Sequence, residues 1–265
     1  MFYKTLEMSY RSADNNYVSY ESTIYSQVSQ PKESWNFLQN DHAMGIFGVG
    51  KEFGKMYDKA IMENFQDRLS DLVSLSGKEE IKTLNTLGNP EKINSFLFNE
   101  ISPNNLRYCY HALTVLEDIS RKNEGKPVHI LEIGAGYGGL AVWLHLLSPY
   151  FKVQIKKYTT CDLPGPTLLQ KKYTKEFSVE IEALHTNFKG WQPEEDCYVY
   201  CISCYGFAEL SEYYQRLYTE NLISKVRGGF MVWNNWTGIY PFAEGIVSMP
   251  ETPMLPNCPN KFLYW

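Results

Sequence analysis

The chain has 265 residues, 44% hydrophobic and 21% charged, with a formal net charge of −5. That is the composition of an ordinary globule; no stretch approaches the roughly 20 apolar residues that cross a bilayer, and no basic stripe suits a long nucleic acid. The first residues, MFYKTLEMSYRSADNNY, lack the basic-then-apolar layout of a secretory signal, so a cytoplasmic location is expected.

Residues 1–50 are polar, tyrosine-rich and irregular, and read as a partly ordered arm with short helices. From Gly50, the residues Phe53, Tyr57, Ile61, Phe65, Leu69, Leu72 and Val73 recur at three- and four-residue steps, one apolar helical stripe. SGKEE and LGNPEK mark turns near 76–79 and 87–92. SPNNLRYCYHALTVLEDI starts a further helix, with Ser102 at the N-cap and Pro103 at the first position. RKNEGKP ends it. From Val128 strands and helices alternate: VHILEIG, then GGLAVWLHLL; KKYTTCDLP, then PTLLQKKYTKEF; VEIEALHTNF; CYVYCISCYG, then AELSEYYQRLYTENLISKV; FMVWNNW; and a last strand in NKFLYW. Such alternation implies a mostly parallel sheet covered by helices. The expected layout is a helical N-terminal region or lid over 1–125 and a Rossmann-like part over 126–265.

Six cysteines are scattered, and disulfides are not expected. Cys201 and Cys204 form a C-x-x-C inside a strand, where residues three apart point to opposite faces. They are read as small buried side chains, and no metal site is expected.

The decisive stretch is VHILEIGAGYGGLAVWL, residues 128–144. It reads as a strand, a side-chain-poor turn and a helix. Gly134, Gly136 and Gly139 satisfy G-x-G-x-x-G, which binds dinucleotides. Glu132, Gly134, Gly136 and Gly138 also fit h-h-E-h-G-x-G-x-G, the pattern in the first motif of class I S-adenosylmethionine methyltransferases. A carboxylate there can compensate an ammonium, and a bare turn lets a cofactor approach the backbone. Asp162, at the tip of the next strand, can accept hydrogen bonds from ribose hydroxyls; NAD and S-adenosyl folds share that device. Asn187 can bond an adenine amino group, and Phe188 can cover the ring.

SPNNLRYCYHAL, ILEIGAGYGGLA, DLPGPTLLQKKY and SCYGFAELS together resemble the sugar O-methyltransferase family, over residues 95–235. The resemblance implies a Rossmann-like class I methyltransferase domain with a seven-stranded-type sheet, S-adenosyl-L-methionine as cofactor, and a sugar hydroxyl of a surface polysaccharide or its precursor as acceptor. The residues expected around the cofactor are Glu132, Gly134, Ala135, Gly136, Tyr137, Gly138, Asp162, Leu163, Asn187, Phe188 and Ser203. A small metabolite acceptor, an NAD-dependent oxidoreductase and a non-catalytic binding module remain open alternatives.

A sugar hydroxyl needs a base within hydrogen-bond reach. Glu209 is the first choice, His185 the second, and Tyr205 a positioning group. Arg107 and His111, four apart on one helix, share a face that can grip the acceptor, with Glu100 and Tyr108 nearby. Trp233, Asn234 and Trp236 are expected to line the acceptor site with aromatic faces and neutral hydrogen bonds.

Overall fold

A computed structural model describes residues 15–184, 188, 190–234, 238–254 and 259–265. Helix α1 (Asn15–Val28) is longer than the short helices expected of the first 50 residues. Helix α2 (Asp41–Phe47) is capped by Asn40, whose Oδ1 accepts from the amides of His42 and Ala43. The apolar stripe after Gly50 is split between α3 (Lys51–Asn64) and α4 (Leu69–Ser76). Phe65 leaves helical geometry at φ −126°, ψ 43°, and the axis turns there. Val73 therefore falls off the buried side and is 56% exposed. Helix α5 (Glu79–Leu84) follows.

A hairpin not expected from the sequence comes next, β1 (Ile93–Ser95) and β2 (Asn99–Ile101). Its three-residue strands are too short for an alternation signal. Asp58 of α3 holds its turn, accepting from Ser95 Oγ at 2.7 Å and from the Phe96 amide at 3.0 Å. Helix α6 (Pro103–Lys122) starts at the expected proline. Ser102 stands at the N-cap position, but its side chain makes no cap bond.

The remaining strands are β3 (Val128–Ile133), β4 (Ile155–Cys161), β5 (Glu182–Ala183), β6 (Tyr198–Cys204), β7 (Gly228–Trp233), β8 (Val247–Pro250) and β9 (Lys261–Tyr264). Their order is β5-β4-β3-β6-β7-β9-β8, a seven-stranded sheet. The first five run parallel, and β9 is antiparallel to both its neighbours. Helices α7 (Gly139–Leu147), α8 (Pro164–Lys175) and α9 (Glu212–Asn221) follow β3, β4 and β6 respectively. This is the Rossmann-like, mostly parallel sheet expected from the alternation.

The expected third strand shrinks to Glu182 and Ala183 at the sheet edge. β8 escaped the sequence reading because all four of its residues are exposed, leaving no buried alternation. β3 and β7 are buried at every position, since packing covers both faces of the sheet. One apolar cluster joins the N-terminal helices to one face; a second covers the other face. Cys204 packs on the first and Cys201 lies in the second, as strand geometry required. No metal-binding group of side chains occurs among the described residues.

Strand order reverses at β3, which pairs with β4 on one side and β6 on the other. Connections leave in opposite directions there, so a crevice opens at the carboxyl ends of the strands.

Candidate active site

That crevice holds a cavity of about 200 Å³. Its floor is the turn after β3, where Gly134 and Gly136 have φ of +73° and +57°, a region costly for side chains. A Cβ on Gly134 would sit 3.1 Å from Gly206 Cα, so the turns after β3 and β6 pass backbone against backbone. Gly134, Ala135 and Gly136 line the cavity with Glu132, Asp162 and Leu163.

Glu132 is 2% exposed and accepts from Tyr158 Oη at 2.6 Å. Burial pushes its carboxyl up to about 7; the Tyr158 bond opposes this and the nearby Asp162 charge adds to it. Asp162 Oδ1 accepts from the Leu163 amide at 2.7 Å and Oδ2 from Gln170 Nε2 at 2.8 Å. Burial raises it to about 6, against those bonds and the amides of Gly136 and Ala135. Gln170 also donates to Gly136 O at 3.0 Å, so Asp162 and the glycine turn are built as one unit. Two desolvated carboxylates facing one small cavity suit a ligand with positive charge and hydroxyl donors. They repel a diphosphate.

The opposite wall contains Arg107, Tyr108, Cys204, Tyr205 and Glu209. Arg107 Nη2 donates to Phe47 O at 2.7 Å, and Nε is buried without a partner. Its guanidinium lies 5.2 Å from the Tyr108 ring centre and 6.0 Å from that of Tyr205. Among the described residues no carboxylate forms an ion pair with it. Glu209 Oε1 accepts from Asn234 Nδ2 at 2.9 Å, which ties the turn after β6 to the end of β7. Tyr20, Ile46 and Phe47 from the N-terminal helices close the top.

Several expected residues lie elsewhere. Tyr137 is fully buried among Phe37, Phe47, Tyr108 and Tyr173 and does not line the cavity; its neighbours in the turn carry the site while it anchors the turn below. Gly138 faces α8, where a Cβ would meet Thr174 Cγ2 at 2.9 Å, so it serves packing. Ser203 Oγ donates to Ile133 O and accepts from the Phe207 amide, a strand-to-turn brace. Phe188 packs on Tyr218 at 4.6 Å between ring centres, one layer behind the wall. His111 is fully buried one turn beyond Arg107, with Nδ1 3.4 Å from Cys204 Sγ. Burial, with the Arg107 charge, holds it well below its usual range. Trp233 is buried against Phe207 and Phe242 rather than in the cavity. Glu100 is exposed on β2. His185, Asn187 and Trp236 lie outside the described residues.

Sequence reasoning missed Glu251. It is 1% exposed and accepts from Tyr205 Oη, from Tyr57 Oη at 3.4 Å and from Asn260 Nδ2 at 2.9 Å. No local pattern marks it: it follows an exposed strand, and its partners lie 194, 46 and 9 residues away. The roof residues Tyr20 and Phe47 were equally hidden, in a region without periodicity.

No protein-family model matches the chain, and no curated protein matches it. Among solved structures it is similar to the CMeT domain of the citrinin polyketide synthase: 18% identity, TM-score 0.42, 62% of this chain and 53% of that one. The chain thus spans about half the length of that structure. It is similar to the N-methyltransferase NodS of Bradyrhizobium japonicum WM9, solved in complex with S-adenosyl-L-homocysteine: 14% identity, TM-score 0.40, 74% of this chain and 95% of that one. PKMT2 of Rickettsia typhi, in complex with AdoHcy, aligns at 17% identity, TM-score 0.33, over 48% of this chain and 25% of that one.

Proposed function

We propose that this chain is an S-adenosylmethionine-dependent O-methyltransferase acting on a sugar hydroxyl, of a surface polysaccharide or its precursor. The carrying observation is the pair of a buried Glu132 and a half-buried Asp162, at the ends of adjacent strands, in one cavity beside a side-chain-free turn. Glu132 would hold the cofactor's ammonium and Asp162 its ribose hydroxyls, with Gly134, Ala135, Gly136 and Leu163 as walls. When bound, the cofactor supplies an electrophilic methyl group. The negative pair beside the turn argues against the diphosphate of a nicotinamide cofactor.

The chain's own work is alignment and exclusion of water. Tyr20, Ile46 and Phe47 roof the cavity. Arg107, Tyr205 and Glu209, which line the cavity, offer polar contacts for the acceptor, and Asn234, outside the lining, donates to Glu209. Arg107 keeps its charge at any working pH and has donors to spare for an acceptor oxygen. Calorimetric titration decides the cofactor: S-adenosylhomocysteine should bind and NADH should not. A glycan panel scored by radiolabelled methyl transfer then tests the acceptor. Binding of NADH alone overturns the reading.

A further inference from the structure

We propose that Tyr205 receives the acceptor's hydroxyl proton and passes its own to Glu251, making Glu251 the terminal proton store of the reaction. The inference rests on the methyltransferase reading and adds a residue that the glycine turn and its neighbours do not include.

A tyrosine hydroxyl has one hydrogen and two acceptor lone pairs. Tyr205 spends its hydrogen on Glu251 Oε1. The lone pairs of Oη can therefore only accept from a further partner. Tyr205 lines the cavity and Glu251 stands behind it, outside the lining. A ligand contact at Oη must thus be a donor, which an acceptor O–H is.

The placement is held by its surroundings. Tyr205 has φ +71°, an uncommon conformation for a residue with a side chain. Its amide donates to Val232 O at 3.0 Å, which pins the backbone in that state. Such strain persists only when neighbours impose it, and it collects at working sites. Tyr57 and Asn260 supply Glu251 with two more donors, so the carboxylate stays oriented after the Tyr205 proton moves. Glu209, by contrast, is exposed, and water competes for it.

The step balances. The acceptor oxygen bonds the methyl carbon, and the carbon–sulfur electron pair stays on sulfur. The acceptor O–H proton passes to Tyr205 Oη, and the Tyr205 proton to Glu251 Oε1. One positive sulfur and one negative carboxylate disappear together, so no net charge is created in the cavity. Glu251 then returns its proton to solvent through Tyr205 as product leaves. Burial pushes the Glu251 carboxyl up, which favours receiving a proton; Tyr205, Asn260, Arg107 and Tyr57 pull the other way.

The test uses the full chain and isosteric variants. With the acceptor identified by the glycan panel, Glu251→Gln should lower kcat ~100-fold or more, the usual range for a proton-transfer group. KM and S-adenosylhomocysteine affinity should stay within about twofold, since the side chain touches neither ligand. Tyr205→Phe should lose a similar factor. Glu251→Ala should regain activity with added formate and not with chloride, a rescue that lost packing alone does not give. A second measurement needs no acceptor: in protein labelled with 13C at tyrosine Cζ, the Tyr205 signal, assigned by its loss in Tyr205→Phe, should shift in Glu251→Gln and titrate at lower pH. Tyr57 and Arg107, which also face it, are unchanged in that variant. Wild-type kcat in Glu251→Gln, or an unmoved Tyr205 resonance, overturns the proposal. Failure of the wild type to bind S-adenosylhomocysteine instead overturns the cofactor reading, and the resonance still reports on the pair.

Discussion

At the scale of single residues, the cavity is organised by carboxylates kept where water is scarce. Glu132 has its pKa raised from 4.5 to about 7 in the folded chain. Between those values the folded state binds more protons than the unfolded one, so this contribution to stability is complete below pH 4.5 and lost as pH rises through 7. Asp162, raised from 3.8 to about 6, acts in the same direction in a lower window. These two carboxyls favour the ligand-free fold more at pH 5 than at pH 8, while His111, His129 and His145, held below their usual range, act the other way below about pH 6.5, so the difference between wild type and Glu132→Gln isolates the carboxyl. Glu132→Gln should be more stable than wild type at pH 8, by roughly 1–3 kcal/mol, because it no longer buries a charge. It should also lose its share of the pH dependence; scanning calorimetry at both pH values checks this. With Glu132 holding the cofactor's ammonium as proposed, wild-type affinity should fall by up to tenfold per pH unit below 7, and Glu132→Gln should bind at least tenfold more weakly at pH 8. Glu132 and Asp162 were legible from the sequence because each sits at a strand end beside a recognisable turn. Glu251 was not, because what makes it notable is its burial against Tyr205 and Tyr57, brought together only by the folded sheet.

At the scale of elements, the glycine turn divides its labour. Gly134 and Gly136 leave room on the cavity side; Gly138 lets α8 approach, with φ +91° and Thr174 Cγ2 2.9 Å from where a Cβ would stand. Gly138→Ala should therefore destabilise the fold by about 1–3 kcal/mol through strain and overlap, while the surviving folded protein binds S-adenosylhomocysteine as before. Chemical denaturation paired with calorimetry separates the two effects. A motif assigned to the cofactor as a block hides this difference, since glycine spacing alone does not say which way each missing side chain would point. The same limit explains the strands. β3, β6 and β7 announced themselves as apolar runs between turns, whereas β4, with two lysines and two threonines, was legible only from its place in the strand–helix alternation. The two-residue β5 and the wholly exposed β8 owe their existence to pairing with neighbours, and pairing leaves no local trace.

For the whole molecule, the helices before the sheet are part of the site. Phe47 touches Tyr20, Phe37 and Tyr137, so one aromatic cluster runs from the roof of the cavity to the underside of its floor. Glu21 accepts from the Gly165 amide at the start of α8, and Lys172 donates to Val28 O, fixing α1 along α8. Phe47→Ala should cost about 3–5 kcal/mol, as large aromatic truncations in cores do. Hydrogen exchange offers a second check: S-adenosylhomocysteine should slow amide exchange in residues 20–47, and no change there would separate the roof from the binding event. None of this could be read from the N-terminal sequence, whose buried residues follow no single period. The edge hairpin carries a different implication. Glu251 and Asn260 directly extend β8 and β9, and the Glu251 amide donates to Asn260 O at 3.0 Å. Slippage by one residue between those two strands would turn Glu251 toward the opposite side of the sheet. The spacing between a proton's destination and the floor of the crevice is thus dictated by the alignment of two short ribbons at the rim, far along the chain from the motif that draws the eye.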